Sequence, residues 1–256
     1  MRARIAAEWA IFLLALQFLT RLPVPADPGY TPERFAATPR WHPAVGALVG
    51  ALAGLAFWLA ALVYPPVLAA LLSTAASLLL TGCFHEDGFA DACDGLGGGA
   101  TRARALEIMR DSRLGTYGAA GLGLMLGGKI LALAALPVPA APMVLIAAHA
   151  ASRASSVFVL ATSAYVRDQG TGKPVAEGVR GGGLAFALTT GALSVAALAP
   201  VLSPAAALGG LLGLALGHLA MRSRFERRLG GYTGDCLGAV QQTSEIGFLL
   251  GVLACL

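Results

Sequence analysis

Residues 84–99 read FHEDGFADACDGLGGG and put four acidic side chains, Glu86, Asp87, Asp91 and Asp94, into nine positions. Asp87, Asp91 and Asp94 are spaced i, i+4, i+7, which on a helix places three carboxylates on one face. Like charges held that close repel unless a cation sits among them. Carboxylate oxygens suit a hard ion, and Mg²⁺ characteristically takes one or two carboxylates together with substrate phosphates. His85 has no second His or Cys at a helix-compatible ligand spacing, so the pattern is not a zinc pattern; it can instead orient a neighbour or touch a substrate. The GLGGG run that follows ends the helix and leaves free backbone amides beside the carboxylates. A solvated helix end is the plain alternative. It is weakened by Phe84, Phe89, Ala90, Ala92 and Leu96, which keep the segment apolar and carry it into the membrane boundary, where carboxylates are costly and functional.

The next stretch, TRARALEIMRDSRLGTYG, continues the polar theme. Read as a helix it stacks Glu107 on Asp111 at i, i+4 and sets Arg110 and Arg113 at i, i+3. Guanidinium pairs recognise phosphates in a bidentate way, while ordinary salt bridging along a helix surface is the competing reading. Further on, GGYTGDCLGAVQQTSEIGF carries Asp235, Gln241, Gln242 and Glu245, and LIAAHAASRASSVF carries His149 and Arg153 at i, i+4. Interhelical polar contacts explain each one singly. Together with Lys129 they suggest one cavity, open to the cytoplasm, that accepts a charged substrate.

The elements that must hold these residues are membrane helices. Hydrophobic residues make up 57% of the 256 positions and charged residues 12%, about half the charge of an ordinary soluble domain, and mean hydropathy is +0.72. Apolar runs near 43–63, 67–82, 115–136, 143–164, 183–202, 205–221 and 236–256 approach or exceed the roughly 20 residues that cross a bilayer as a helix. Their continuity excludes the alternation of an outer-membrane barrel. The expected fold is therefore all-α, a polytopic helical bundle of about seven transmembrane helices in one domain spanning 1–256.

Connections at 64–66, 137–142 and 203–204 are tight and uncharged, whereas those at 21–42, 83–114, 165–182 and 222–235 carry fourteen of the eighteen Lys and Arg residues. The positive-inside rule places these four loops on the cytoplasmic side of a bacterial inner membrane. Segment 5–20, with Arg2 and Arg4 ahead of it and Glu8 and Gln17 inside it, is expected to be a short interfacial or re-entrant helix. No small-residue cleavage site follows it, which argues against a removable signal peptide. Net charge is +4, but no basic face interleaved with aromatics points to nucleic acid. Four cysteines without a C-x-x-C pair read as small buried residues. Glycines at every fourth position, Gly46/Gly50/Gly54, Gly123/Gly127 and Gly209/Gly213/Gly217, are expected to pack helices closely; such faces serve packing within one chain and between copies of a homo-oligomer equally.

With these motifs set out, the chain resembles the cobalamin synthase family, membrane enzymes that act as adenosylcobinamide-GDP ribazoletransferases. The resemblance runs through ALQFLTRLPVP at 15–25, FHEDGFADACDGLGG, ALEIMRDSRLGTYGA and GGYTGDCLGAVQQTSE, in that order and over nearly the whole chain. It implies Mg²⁺-dependent transfer of a phospho-cobinamide group from adenosylcobinamide-GDP to α-ribazole or its 5'-phosphate, with GMP released. On that reading Asp87, Asp91 and Asp94 hold one or two Mg²⁺ ions, with Glu86, where the family often has Leu, as a further candidate ligand. Arg110 and Arg113 neutralise developing charge, and either Asp94 or Asp235 accepts the proton of the attacking hydroxyl. His85, Glu107, Asp111, Lys129, Arg153, Gln241 and Glu245 are the expected substrate-binding residues.

Three other classes share some of these features. Asp91-x-x-Asp94-Gly95 opens like the signature of CDP-alcohol phosphotransferases, but Gly98 and Gly99 stand where that signature has Ala and Arg. Intramembrane prenyltransferases need a second Asp-rich cluster, and here only Asp235 and Glu245 are available. A transporter would use intramembrane charges for ions and predicts inverted repeats, of which the sequence shows none.

Overall fold

The computed structural model describes residues 2–25, 27–167, 179 and 181–256. Eleven α-helices form among them: α1 (Arg2–Leu19), α2 (Pro32–Ala36), α3 (His42–Ala61), α4 (Pro66–Thr81), α5 (Phe84–Gly98), α6 (Arg102–Ile108), α7 (Thr116–Ala134), α8 (Ala141–Thr162), α9 (Gly182–Ala196), α10 (Pro204–Leu229) and α11 (Gly234–Leu253). No strand forms among the described residues beyond an isolated bridge between Tyr165 and Tyr232. Every one of the seven apolar runs is helical. Five, α3, α7, α8, α10 and α11, are long and apolar enough to cross a membrane. The other two fall short: α9 has 15 residues, and the 16-residue α4 turns by 91° into α5. Most of the basic segment 165–182 lies outside the described residues.

Large apolar side chains face outward all round the bundle. Leu79, Leu124, Leu131, Leu193 and Leu216 are each at least 65% exposed, a cost in water that vanishes in lipid. At the centre runs α8. Its small residues, Ala147, Ala148, Ala150, Ala151, Ser152, Ala154 and Ser155, are buried on every side, and a helix buried all round can pack neighbours on every face.

Glycine decides how closely those neighbours come. A methyl group added at Gly50 would stand 2.5 Å from the Leu145 carbonyl, and one at Gly54 would stand 2.8 Å from Pro142 Cα, so α3 lies directly on the backbone of α8. Gly209, Gly213 and Gly217 of α10 face the backbone of Gly251, Gly247 and Thr243 on α11 in the same way. Gly123 and Gly127 depart from the expectation. Nothing stands within 4 Å of a side chain placed there, because the face of α7 that meets other helices carries Lys129 and Met125 instead. The cysteines also depart from it: only Cys236 is buried, while Cys83 and Cys255 are exposed.

The polar connections meet at one end of the bundle. The Arg21 amide donates to the Leu80 carbonyl at 2.7 Å, Arg102 Nε donates to the Leu229 carbonyl at 2.7 Å, and Val166 N donates to the Tyr232 carbonyl at 3.0 Å. At the same end α1 is tied to the segment before α3, where Glu8 accepts from Arg40 Nη2 at 2.8 Å and from Trp41 Nε1 at 3.2 Å. Two consecutive left-handed residues, Gly82 (φ 62°) and Cys83 (φ 58°), make the sharp turn between α4 and α5. Glycine adopts that conformation freely and cysteine only at a cost. The consequence is that α5 runs at right angles to α4 and packs on α11 and α7.

Candidate active site

The acidic helix is positioned from two sides. On one side Gly88 and Gly238 remove the side chains that would hold α5 and α11 apart: a methyl group at Gly88 would be 3.0 Å from Asp235 Cα, and one at Gly238 would be 2.8 Å from the His85 carbonyl. Asp87 and Asp91 flank Gly88 along α5, so this contact brings Asp235 up against them. On the other side Asp94 ties α5 to α7. Its Oδ2 accepts from Gly115 N at 2.7 Å and its Oδ1 from Gly118 N at 2.9 Å. The start of α7 has no capping side chain of its own, and the carboxylate of Asp94 satisfies amides that otherwise lack partners.

Three acidic groups, Asp87, Asp91 and Asp235, therefore come close together. Burial, then the charges of Asp235 and Asp87, push the Asp91 carboxyl up to about 7, with Arg167 opposing them. Arg167 reaches Asp235 Oδ2 at 2.6 Å and the Met109 carbonyl at 3.3 Å. Asp235 Oδ2 also accepts from Thr233 Oγ1 at 3.2 Å. Among the described residues no three His, Cys, Asp or Glu side chains form a complete metal cage. Two neighbouring carboxylates nevertheless fit an ion that draws its remaining ligands from phosphate and water, the usual situation of Mg²⁺.

Beside the acids is a cavity of about 220 Å³. Five helices build it: Phe18 and Leu19 from α1, His42 from α3, His85 and Asp87 from α5, Arg153 and Ser156 from α8, and Asp235 and Leu237 from α11. Arg153 is 2% exposed. Among the described residues it bonds only to its own helix, Nη1 to the His149 carbonyl at 3.0 Å and to His149 Nδ1 at 3.2 Å, and its Nε has no partner there. A buried guanidinium without a paired carboxylate is a strong anion site, since desolvation and unmet donors both disfavour leaving it empty. The cavity thus has a cationic interior and an acidic rim.

Lys129, Gln241 and Glu245 do not line this cavity. They form a closed network with Glu86 deeper in the bundle. Lys129 Nζ lies 2.6 Å from Glu245 Oε1 and donates to Gln242 Oε1 at 2.5 Å. Gln241 Nε2 donates to Glu245 Oε2 at 2.6 Å, and Gln242 Nε2 donates to Glu86 Oε1 at 2.8 Å. Of the intramembrane charges expected to receive substrate, Arg153 alone opens on the cavity. Glu86 faces Gln242, Asp87 lies on the rim, and Asp91 stands outside the cavity lining, close to Asp87 and Asp235.

The segment after α5 also differs from expectation. The helix ends at Ile108, so Arg110, Asp111 and Arg113 do not continue its face. Asp111 ends it by folding back in an Asx turn, accepting from Arg113 N at 3.1 Å while its carboxylate pairs with the Arg113 side chain at 2.6 Å. Aspartate competes with helix in this way. That pairing lowers the exposed Asp111 carboxyl to about 2. Glu107 pairs with Arg104 at 2.8 Å on the surface. Arg167 and His42 are the site residues missed by sequence reasoning. Arg167 sits in a basic loop that gave no spacing signal, and His42 is a lone histidine next to Pro43 at the start of α3.

Comparison with known proteins follows the same line. A family model described as cobalamin-5-phosphate synthase matches residues 11–253. Among curated relatives, proteins named adenosylcobinamide-GDP ribazoletransferase share 49% identity in Leptothrix cholodnii, over 98% of both chains, and 44% in Ralstonia nicotianae, over 94% of this chain and 93% of that one. The Vibrio parahaemolyticus protein of the same name is 38% identical over 99% of this chain and 95% of its own. No solved structure matches. On this breadth of similarity the chain belongs to the cobalamin-5-phosphate synthase family.

Proposed function

We propose that this chain is an adenosylcobinamide-GDP ribazoletransferase of the bacterial cytoplasmic membrane, joining α-ribazole or its 5'-phosphate to the phospho-cobinamide group with release of GMP. The observation that carries the reading is a buried guanidinium, Arg153, with no carboxylate partner among the described residues, on the same cavity as the carboxylates Asp87 and Asp235, with Asp91 next to both on the acidic helix. An active site on the cytoplasmic side is supported by the described parts of the basic connections, which meet at the end of the bundle that holds this cavity.

Phosphoryl transfer asks a protein chiefly for position and charge stabilisation. Bound at Asp87 and Asp91, Mg²⁺ would supply neutralisation of the substrate diphosphate. Arg153 binds a phosphate oxygen from the interior side and fixes the diphosphate against the rim. The ribazole hydroxyl oxygen forms a bond to the cobinamide-linked phosphorus, and the bond from that phosphorus to the oxygen retained by GMP breaks. Asp235 takes the hydroxyl proton. Arg167 and Thr233 occupy its Oδ2, and Oδ1 is the oxygen left to take that proton. Asp94, with both oxygens engaged by α7 amides, acts as a positioning residue for the acidic helix.

The test is GMP release by detergent-purified protein given adenosylcobinamide-GDP and α-ribazole, with and without Mg²⁺, for wild type beside Asp91→Ala. Mg²⁺-dependent GMP that disappears in the variant supports the proposal. A folded wild type that makes no GMP sinks it and turns attention to CDP-alcohols and prenyl diphosphates.

A further inference from the structure

A second basic groove lies on the opposite side of the acidic helix from Asp87. It has a volume of about 600 Å³ and is framed by Arg224, Arg227 and Arg228 of α10, by Tyr117 of α7 and by Gly97 of α5. Gly97 makes the groove. A methyl group there would stand 2.7 Å from the Tyr117 ring, so the ring lies across bare helix backbone and forms one wall. The opposite wall is cationic. Arg224, Arg227 and Arg228 share one helix face at i, i+3, i+4, a spacing at which like charges repel. No carboxylate among the described residues pairs with any of the three. Glu226, the acid on this turn, is taken by Arg222 at 2.9 Å. Arg228 Nε is buried and has no partner among the described residues.

The groove opens where two lipid-facing helices end. Leu124 of α7, two turns beyond Tyr117, is 79% exposed, and Leu216 of α10, two turns before Arg224, is 69% exposed. Behind them lies Ile246 of α11, 3.4 Å from a methyl group placed at Gly128. Apolar walls thus lead up to a cluster of guanidiniums at the level where a crossing helix leaves the hydrocarbon.

We infer that this groove seats the phosphate headgroup of an anionic membrane phospholipid, whose acyl chain runs down between α7 and α10. Charge complementarity selects an anion, and the apolar furrow selects one with a tail over a free phosphate. None of the three arginines lines the reaction cavity, so the site is separate from the one assigned to the transferase.

The full-length protein is embedded in nanodiscs of equal phosphatidylglycerol and phosphatidylcholine, released into detergent, and its retained lipid counted by native mass spectrometry. Wild type is expected to retain phosphatidylglycerol in preference to phosphatidylcholine. In Arg224→Gln/Arg228→Gln that preference falls by roughly fivefold per arginine removed, while GMP release in detergent is unchanged. Equal retention of the two lipids by wild type overturns the proposal. So does an equal loss in the surface control Arg104→Gln, which would mean general surface charge. Displacement of phosphatidylglycerol by millimolar inorganic phosphate also overturns it, in favour of a soluble anion. Should the double variant not elute as a folded species, the wild-type lipid preference and the phosphate competition decide the matter.

Discussion

Arg167 holds Asp235 through Nη2 at 2.6 Å, with both side chains largely buried. The two residues are 68 positions apart, and their contact fixes the entrance of α11 beside the acidic helix. The same guanidinium reaches the Met109 carbonyl, so one cation joins three segments of the site.

Replacing Arg167 by Gln leaves Asp235 facing Asp87 and Asp91 without its counter-charge. GMP formation is expected to fall by about 10²-fold, the scale seen when a group organising charge at a reacting centre is removed. Asp235→Asn should fall at least as far. A steady-state assay checks both, and an Arg167→Gln enzyme with wild-type turnover would remove Arg167 from the site.

Asp94 and Asp91 should separate stability from activity. Asp94→Ala uncaps α7 and is expected to cost about 1–2 kcal/mol, seen as a lower midpoint in thermal unfolding in detergent. Asp91→Ala relieves carboxylate crowding, so its midpoint should hold or rise while GMP release is lost. A fall in both midpoints alike would contradict the division of labour between the two aspartates.

Lys129 and Glu245 form an ion pair with side chains 9% and 4% exposed. Lys129→Met strands a buried carboxylate and should destabilise by about 3–5 kcal/mol. Lys129→Met/Glu245→Leu should recover much of that, because neither charge of this pair is then left without the other. Unfolding midpoints of the single and double variants give the coupling directly.

Two glycines of similar appearance should respond in opposite ways. At Gly213 even a methyl group meets the Gly247 carbonyl and forces α10 from α11, so Gly213→Ala should lower the yield of folded protein. At Gly123, where space is open, Gly123→Ala should stabilise by roughly 0.5–1 kcal/mol through helix propensity alone. Folded yield by size-exclusion chromatography distinguishes them.

Much of this molecule is written in local pattern. The seven apolar runs became helices because burial of a continuous apolar stretch depends only on neighbours in sequence. The i, i+4, i+7 aspartates fell on one helix for the same reason. What pattern could not give were pairings between distant positions: Lys129 with Gln242, 113 residues apart, or Asp94 with the amides that open α7. The expected helix through Arg113 failed on a competition invisible to spacing, since Asp111 prefers its own turn. Gly123 and Gly127 show the limit from another side: small residues at every fourth position permit close packing, but whether a helix arrives there depends on the whole bundle.

The right-angled turn at Gly82 and Cys83 has a mechanical consequence. The 15 residues of α5, about 22 Å of helix, leave α4 at 91° and pack on α11 and α7 rather than on α4. Crossing helices meet a thinner or thicker membrane by tilting, which displaces their residues by amounts that grow along the axis. A helix set off from its predecessor by so sharp a turn does not have to follow that tilt. Asp87 and Asp91 therefore stay with Asp235, against which Gly88 of the same helix packs, when α4 tilts.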